Sequence, residues 1–425
     1  MSLFDTPRPV SWQRCIRCGN ELTETDTATR CECGGLLELR HRAPDASAGT
    51  LRATFDARAG ERAGILTSGV WRFRELVLPS AAEQHVVTHP EGNTPLLERP
   101  ALAAWAGTER VLFKHEGHNP TGSFKDRGMT VGMTQARRIG ARVVGCASTG
   151  NTAASLASYA AQAGIQALVL VPAGHVALGK LTQTLAYGAR TLLVRGDFDE
   201  CFRLLEAASR ELGVYLLNSI NPFRIEGQKS IVFELLAQLD WDPPDWIVLP
   251  AGNLGNTAAF GKALEEALAL GLIKRLPRLV PVQAEGAAPF ALGYREGFVR
   301  RHRVRAETVA TAIRIGEPVS WDRAVRAVRV TRGVVTTVPD AQILEAKRAI
   351  DRAGVGCEPA SAASLAGLRR LVAEGIVTPE ARAVCILTGH VLKDPEVLEG
   401  MHQMDRLPEI EATVEALRRQ LTSDE

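Results

Sequence analysis

One lysine lies in a sequence context that could support covalent chemistry. Lys125 follows a Pro-Thr-Gly-Ser-Phe turn within residues 119–128 and precedes an Asp-Arg pair, where the pattern predicts the start of a helix. Most lysines lie on protein surfaces, and that is the alternative here. If Lys125 is desolvated instead, its pKa falls and the neutral amine can form a Schiff base. The sequence therefore offers Lys125 as a candidate nucleophile.

A glycine-containing loop could bind a phosphate. Residues 250–256 read Pro-Ala-Gly-Asn-Leu-Gly-Asn and join a buried strand to a predicted helix. Glycine lets the backbone approach a ligand closely, and the unpaired N–H groups at a helix start attract an anion. The spacing alone fits a turn without a ligand equally well.

Two more loops also follow predicted strands. Residues 148–152 read Ser-Thr-Gly-Asn-Thr, which can contact a ligand or simply cap the next helix. Residues 388–390 read Thr-Gly-His, and no sequence feature gives His390 a carboxylate partner, so a general base is the weaker interpretation. In open α/β sheets ligands bind beyond the carboxyl ends of the strands, so we expect the chemistry to concentrate in these loops.

The eight cysteines fall into two groups. The patterns Cys15-x2-Cys18 and Cys31-x-Cys33 bring four thiols together near the N-terminus, with glycines at the predicted turns. This arrangement favours a structural zinc site over reduced, metal-free thiols, and redox or catalytic roles are weaker still. The other four cysteines lie singly in apolar surroundings and are interpreted as core residues: Cys146, Cys201, Cys357 and Cys385.

The elements that must position these residues alternate between strand and helix. From about residue 92 onward, short β-branched runs alternate with Ala- and Leu-rich helical stretches, which indicates an α/β fold with mostly parallel sheets covered by helices. Strands are predicted at 142–147, 167–171, 190–194, 214–217, 246–249 and 384–387. Helices are predicted at 152–163, 176–187, 199–212 and 257–270.

Length and charge limit the function classes. A chain of 425 residues suggests two or three domains, and 50 Lys and Arg against 48 Asp and Glu leave no basic field for nucleic acid. No apolar run is long enough to span a membrane and the N-terminus lacks a signal-peptide pattern, so we expect a cytoplasmic protein. We predict a Cys-rich module at 1–42, a linker and docking segment at 43–85, and a catalytic region at 86–425.

Seven motifs together resemble the threonine synthase family. They keep their order between about residues 69 and 395, at 119–128, 147–155, 218–229, 252–256, 312–316, 358–364 and 387–395. These enzymes belong to the pyridoxal-phosphate enzymes of the tryptophan synthase β type. The resemblance implies a two-lobed fold type II enzyme, with a smaller lobe at roughly 127–220 inserted in the larger one. A similar N-terminal Cys-rich module occurs in many family members.

The resemblance also implies roles for the candidate residues toward pyridoxal phosphate. Lys125 would hold the cofactor as a Schiff base, and Asn151 would hydrogen-bond its ring hydroxyl. Thr388 would face the pyridine nitrogen, where a hydroxyl does not force protonation. The cofactor's phosphate would lie on Gly252, Asn253, Leu254, Gly255 and Asn256.

The implied reaction converts O-phospho-L-homoserine and water to L-threonine and phosphate. The substrate phosphate needs a second anion site, for which Arg224 is the central candidate, and a structural salt bridge is the equal alternative for this arginine. Thr152 is a candidate contact for the departing phosphate. The remaining candidate substrate-binding residues are Ser148, Thr149, Asn218 and Ser219.

Two functional alternatives remain beside this leading interpretation, which makes three in all. A paralogue of the same cofactor class, such as cysteate synthase or threonine dehydratase, is the nearest one, and a zinc-ribbon interaction protein with an inactive enzyme body is the third. The resemblance implies a small-molecule substrate and a homodimer. The chain departs from the family pattern at Leu254, where alanine is common in the family. The resemblance gives no chemical role to Glu358.

Overall fold

A computed structural model describes residues 9–174, 178–402, 407 and 409–422. It confirms the alternating pattern: every strand predicted above is present, with ends that differ by at most two residues. The helix predicted at 176–187 begins at Leu178, and its first two predicted positions lie outside the described residues. The chain therefore has the α/β class that its hydrophobic pattern indicates.

The larger of the two catalytic-region sheets has six strands in the order β12-β11-β10-β13-β5-β4. All neighbouring pairs are parallel except β4 and β5. The strands are β4 (Leu96–Glu98), β5 (Val111–His115), β10 (Trp246–Pro250), β11 (Arg278–Ala284), β12 (Thr336–Val338) and β13 (Ala383–Leu387). β10 and β13 are buried along their whole length, as expected for central strands covered on both faces.

The smaller sheet has four parallel strands in the order β8-β7-β6-β9. These strands are β6 (Val143–Ala147), β7 (Gln166–Pro172), β8 (Arg190–Val194) and β9 (Tyr215–Leu216). All four fall within the segment predicted as the smaller lobe. Parallel neighbours need crossover connections, and helices provide them here.

Helices cover both sheets. They are α1 (Ala48–Arg58), α2 (Arg74–Val77), α3 (Pro100–Ala106), α4 (Lys125–Arg138), α5 (Asn151–Ala163), α6 (Leu178–Ala186), α7 (Phe198–Leu212), α8 (Pro222–Gln238), α9 (Gly255–Ala269), α10 (Pro289–Arg295), α11 (Trp321–Val330), α12 (Asp340–Arg352), α13 (Pro359–Ala373), α14 (Pro395–His402) and α15 (Val414–Thr422). The helix α8 is almost wholly buried, and its start is fixed by Asn221, whose side chain accepts from the Phe223 N–H.

The N-terminal cysteines belong to a three-stranded antiparallel sheet in the order β2-β1-β3, made of β1 (Ser11–Cys15), β2 (Glu21–Thr23) and β3 (Leu37–His41). The sheet packs tightly on the catalytic region. His41 Nε2 donates to Glu226 on α8 at 3.0 Å, and Leu36 packs against Leu216 and Ile220 beside the smaller sheet. The module therefore contacts helix α8 and the β9 end of the smaller sheet.

The segment predicted as a linker contributes to the core. Trp71 and Phe73 are fully buried in the main hydrophobic cluster, which agrees with a docking role for this stretch. The boundaries 1–42, 43–85 and 86–425 remain predictions. Within the part of the chain that the structure describes, no helix is both long and apolar enough to cross a bilayer.

Candidate active site

The candidate residues meet where loops leave the carboxyl ends of β5, β6, β10 and β13. The loop before Lys125 pairs with the loop after β13, because the Phe124 N–H donates to the Thr388 carbonyl at 3.0 Å and Ser123 forms a β-bridge with Gly389. Lys125 and Thr388 are far apart in the sequence. The adjacent strands β5 and β13 bring their loops together.

Lys125 is the first residue of α4 and is partly buried. Its ammonium lies 4.3 Å from the centroid of the Phe124 ring. The pKa of Lys125 is lowered to about 7, because burial and the Arg224 cation together lower it more than the Glu358 carboxylate raises it. No carboxylate within the described residues pairs directly with Lys125. A lysine with this pKa is neutral in a large fraction of molecules at neutral pH, so its amine can act as a nucleophile.

The carboxylate of Asp126 fixes the turn that precedes Lys125. Asp126 is fully buried and accepts from the Thr121 N–H at 2.7 Å and from the Thr121 and Ser155 hydroxyls at 2.6 Å each. Ser155 lies on α5, so these bonds tie the lysine turn to the helix that begins at Asn151. The Asp126 carboxylate therefore positions both Lys125 and the helix that carries Asn151.

A buried ion cluster holds α4 against β5 and α8. Arg127 Nε donates to Glu116 at 2.6 Å, and Arg127 Nη2 donates to Glu234 at 2.8 Å. Lys114 on β5 also pairs with Glu234, and all four side chains are inaccessible to solvent. Breaking a fully buried cluster of this kind is strongly unfavourable, so the start of α4 is rigidly placed.

Asn151, Glu358 and Thr388 form one hydrogen-bonded group. Asn151 Nδ2 donates to Glu358 Oε2 at 2.9 Å, and the Thr388 hydroxyl donates to Glu358 Oε1 at 2.9 Å. Glu358 is 1% exposed. Glu358 had no chemical role that could be assigned from sequence, and only its place in the motif at 358–364 marked it. The structure brings together Asn151, which is expected at the ring hydroxyl of the cofactor, and Thr388, which is expected at its ring nitrogen.

The loop after β10 forms a cradle at the start of α9. A Cβ on Gly252 would lie 2.9 Å from the Ile313 Cα, so the backbone there leaves no room for a side chain. Among the described residues, the Thr257 hydroxyl and the Asn256 side-chain Oδ1 are buried and have no hydrogen-bond partner. Thr257 lies just beyond the predicted loop and was not identified from sequence, although a threonine in the first turn of a helix is a recognisable anion contact.

The larger Leu254 does not fill this cradle. It adopts a left-handed conformation with φ of 63°, and its side chain belongs to a hydrophobic cluster with Phe290 and Trp321. The neighbouring Asn253 supports the loop, because its side-chain oxygen accepts from the Val319 N–H at 3.1 Å. The departure from alanine therefore changes packing behind the loop.

Arg224 carries a buried positive charge that has no anion. Its Nη1 donates to the Leu217 carbonyl at 3.0 Å, but Nε and Nη2 are buried without partners. No carboxylate pairs with it in the described chain, so the salt-bridge alternative is wrong. Arg224 contacts α4 at two glycines: a Cβ on Gly128 would lie 3.3 Å from the Arg224 Cβ, and one on Gly132 would lie 3.4 Å from its Cγ. These glycines let the arginine lie one to two turns from Lys125.

The other substrate-site candidates differ in their contacts. Asn218 exchanges two 3.0 Å hydrogen bonds with the Ala147 backbone, so its amide fixes the end of β6. The Ser148 hydroxyl accepts from the Gly150 N–H at 3.3 Å, and a Cβ on Gly150 would meet no atom within 4 Å. Partly exposed side chains line this open loop, namely Ser148, Thr149, Asn151 and Thr152, with Ser219 also partly exposed near Asn218.

The residues present fit pyridoxal phosphate. The cofactor requires an amine for its aldehyde, anion donors for its phosphate and polar contacts for its ring. Lys125 supplies an amine whose lowered pKa makes the neutral form available at neutral pH. The start of α9 offers unpaired N–H groups and an unpartnered Thr257 hydroxyl, and Asn151 and Thr388 offer polar atoms held by Glu358.

A protein-family model for "Pyridoxal-phosphate dependent enzyme" matches residues 87–389. A threonine synthase from Methanocaldococcus jannaschii is 43% identical over 413 residues, which are 96% of this chain and 98% of the relative. A threonine synthase from Synechocystis is 46% identical over 337 residues, which cover 77% of this chain and 86% of the relative.

Among solved structures, threonine synthase from Escherichia coli superposes with a TM-score of 0.68 at 19% identity, covering 97% of this chain and 100% of that one. Maize serine racemase superposes with a TM-score of 0.64 at 21% identity, covering 79% and 96%. These two likenesses establish the fold type alone. By its family match and its sequence identity to the curated relatives, the chain belongs to the pyridoxal-phosphate-dependent enzymes, in the threonine synthase family.

Proposed function

We propose that this enzyme converts O-phospho-L-homoserine and water to L-threonine and inorganic phosphate. The observation that carries the proposal is Arg224, a buried cation with two unsatisfied N–H groups near Lys125. A substrate phosphate would satisfy both groups, whereas threonine and serine have no anion for this place beyond their carboxylate. The neighbouring loop at 148–152 offers hydroxyls for the remaining phosphate oxygens or the carboxylate.

The residues of this chain would have separate roles in the reaction. Pyridoxal phosphate, when bound, supplies an electron sink that makes protons at Cα and Cβ of an amino acid acidic. Lys125, with a pKa of about 7, would accept protons from Cα and Cβ and return protons to Cα and to Cγ, where the methyl group of threonine forms. Asn151 and Thr388 would orient the ring, and the start of α9 would hold the cofactor's phosphate.

Arg224 would act on both affinity and leaving-group departure. Its fixed charge would bind the phosphate ester and stabilise the additional negative charge that develops on the departing phosphate. Thr152 would contact the same group from the partly exposed loop. Water would then add at Cβ, and the free phosphate would leave.

One parallel assay tests the proposal. Purified protein is incubated with phosphohomoserine, with phosphoserine plus sulfite, and with threonine, while phosphate, threonine and 2-oxo acid are measured. We expect phosphate and threonine in equal amounts from phosphohomoserine only. Release of 2-oxo acid from threonine, or of phosphate from phosphoserine, as the main activity would instead favour threonine dehydratase or cysteate synthase. Lys125→Ala should abolish turnover while the protein stays folded.

We also propose a structural zinc ion on Cys15, Cys18, Cys31 and Cys33. Their Sγ atoms all lie within 4.8 Å of one another, and the closest pairs are 3.5 Å and 3.6 Å apart. A tetrahedral zinc with bonds of about 2.3 Å separates its sulfur ligands by roughly 3.8 Å, whereas a disulfide requires about 2.05 Å. Metal analysis of unchelated protein should give about one zinc per chain, and a value near zero would favour free thiols.

A glycine beside the cluster supports the same assignment. A Cβ on Gly35 would lie 2.5 Å from the Cys15 Sγ and 3.2 Å from the Cys33 Sγ. The turn is therefore shaped around the sulfur atoms.

We further infer a cytoplasmic homodimer that acts on a small molecule and binds neither nucleic acid nor membrane. Near-balanced charge supports the absence of a polyanion partner, and the dimer rests on family resemblance. Light scattering during size-exclusion chromatography should give about twice the 45.8 kDa chain mass.

A further inference from the structure

Glu358 is a buried carboxylate without a positively charged partner. Its side chain is 1% exposed, and in the described part of the chain no lysine, arginine or histidine lies within ion-pair distance of it. Two neutral groups hold it, the Asn151 amide and the Thr388 hydroxyl. Burying a carboxylate without a cation is energetically unfavourable, which indicates that the charge has a function in the site.

The hydrogen bonds around Thr388 have a defined direction. The Ser361 hydroxyl oxygen accepts from the Thr388 N–H at 2.8 Å and from the Gly389 N–H at 3.0 Å, which occupies both of its lone pairs. Its own hydrogen is therefore directed to the Thr388 oxygen, 2.9 Å away. The Thr388 hydrogen in turn points to Glu358.

With these hydrogen bonds in place, the Thr388 hydroxyl oxygen keeps one free lone pair, and its hydrogen is already donated to Glu358. A group that approaches Thr388 from the cofactor side must therefore be a donor as long as Glu358 is ionised. We propose that Glu358 makes Thr388 a hydrogen-bond acceptor, so that the cofactor's ring nitrogen is held in its protonated form. Glu358 is thus a positioning residue that acts through Thr388.

The proposed reaction would benefit from a protonated ring nitrogen. A protonated ring nitrogen is the stronger electron sink, and the proposed reaction removes protons from both Cα and Cβ. A hydroxyl alone does not force protonation, but a hydroxyl whose hydrogen is committed to a carboxylate favours it. This inference rests on the proposed function only for the purpose of the protonated ring; the placement of Thr388 at the ring nitrogen comes from the family resemblance.

The surroundings keep the carboxylate in one place. A Cβ on Gly389 would overlap the Glu358 carboxyl carbon, so only glycine fits after Thr388. The pKa of Glu358 is raised above its ordinary value, because burial and the neighbouring Asp394 raise it more than the hydrogen bonds from Asn151 and Thr388 and the charge of Lys393 lower it. The other titratable groups that face it are Lys125 on α4 and the buried Cys357 thiol.

The test uses the full-length holoenzyme reconstituted with pyridoxal phosphate carrying ¹⁵N in the ring. The ¹⁵N chemical shift reports directly whether the ring nitrogen is protonated, independently of turnover. Glu358→Gln keeps the side-chain shape, but its amide nitrogen can donate to Thr388 while its oxygen accepts from Asn151. The Thr388 hydrogen is then free to point at the ring. Glu380→Gln, an exposed position, is the matched control.

We expect the protonated signal in the wild type and in Glu380→Gln, and the unprotonated signal in Glu358→Gln. An unprotonated ring in the wild type at neutral pH overturns the inference without reference to any variant. A protonated ring in Glu358→Gln overturns it as well. If the signals behave as expected but phosphohomoserine yields no phosphate, the proposed function fails and this inference stands.

Discussion

Replacement of Arg224 by methionine should separate stability from activity. Methionine has a similar length and no charge, so Arg224→Met removes a buried cation that lacks an anion. Removing such a charge is often neutral or stabilising, and we expect the free energy of unfolding of the phosphate-free protein to change by between zero and a gain of about 2 kcal/mol. The lost bond to the Leu217 carbonyl is included in that range.

The expected loss of activity follows from the two unsatisfied N–H groups. A hydrogen bond to a charged group contributes about 1.5–3 kcal/mol, so two bonds to a substrate phosphate contribute about 3–6 kcal/mol. This corresponds to a decrease in kcat/KM of about 100-fold to 10,000-fold. The assay measures phosphate release from phosphohomoserine, alongside thermal unfolding with and without inorganic phosphate. Phosphate should stabilise the wild type more than the variant.

Arg323 offers a matched control. It is also buried with two unpartnered N–H groups, and burial lowers its pKa to about 10, as it does for Arg224. It lies on α11 and donates to the Leu37 carbonyl of the Cys-rich module. Arg323→Met should leave kcat/KM within about threefold of the wild type. A comparable value for Arg224→Met would refute the anion-site reasoning.

Three further predictions concern neighbouring residues. The pKa of Lys125 is about 7 in the folded chain against 10.5 ordinarily, so between these pH values the unfolded chain binds more protons. Cofactor-free protein should therefore gain stability as pH rises from 7 to 10.5, and urea unfolding of Lys125→Met should show a flatter rise. Gly389→Ala should displace the Glu358 carboxylate and weaken cofactor binding by about 10-fold to 100-fold, measured by absorbance titration; unchanged affinity would contradict the close contact. Leu254→Ala should destabilise the protein by about 2–5 kcal/mol with unchanged cofactor affinity, since Leu254 packs against Trp321 and not into the cradle.

The sequence by itself determined the local features of this protein. The strand at 190–194 was predicted with the correct first and last residues. Short apolar runs bounded by turn residues form strands largely through neighbours in the chain, so they can be recognised from sequence. The same holds for the start of α4 at Lys125 and for the clustering of Cys15, Cys18, Cys31 and Cys33, whose paired spacing is typical of a four-thiolate site.

Only the tertiary structure decided which distant groups meet. Glu358 had no assignable role until β13 and α13 brought its carboxylate to Asn151 and Thr388. The two interpretations of Arg224 were equal in sequence, and the absence of a carboxylate around it in the described chain separated them. The reason is physical: burial, desolvation and unsatisfied hydrogen bonds are properties of a three-dimensional environment, and residues far apart in the sequence create that environment.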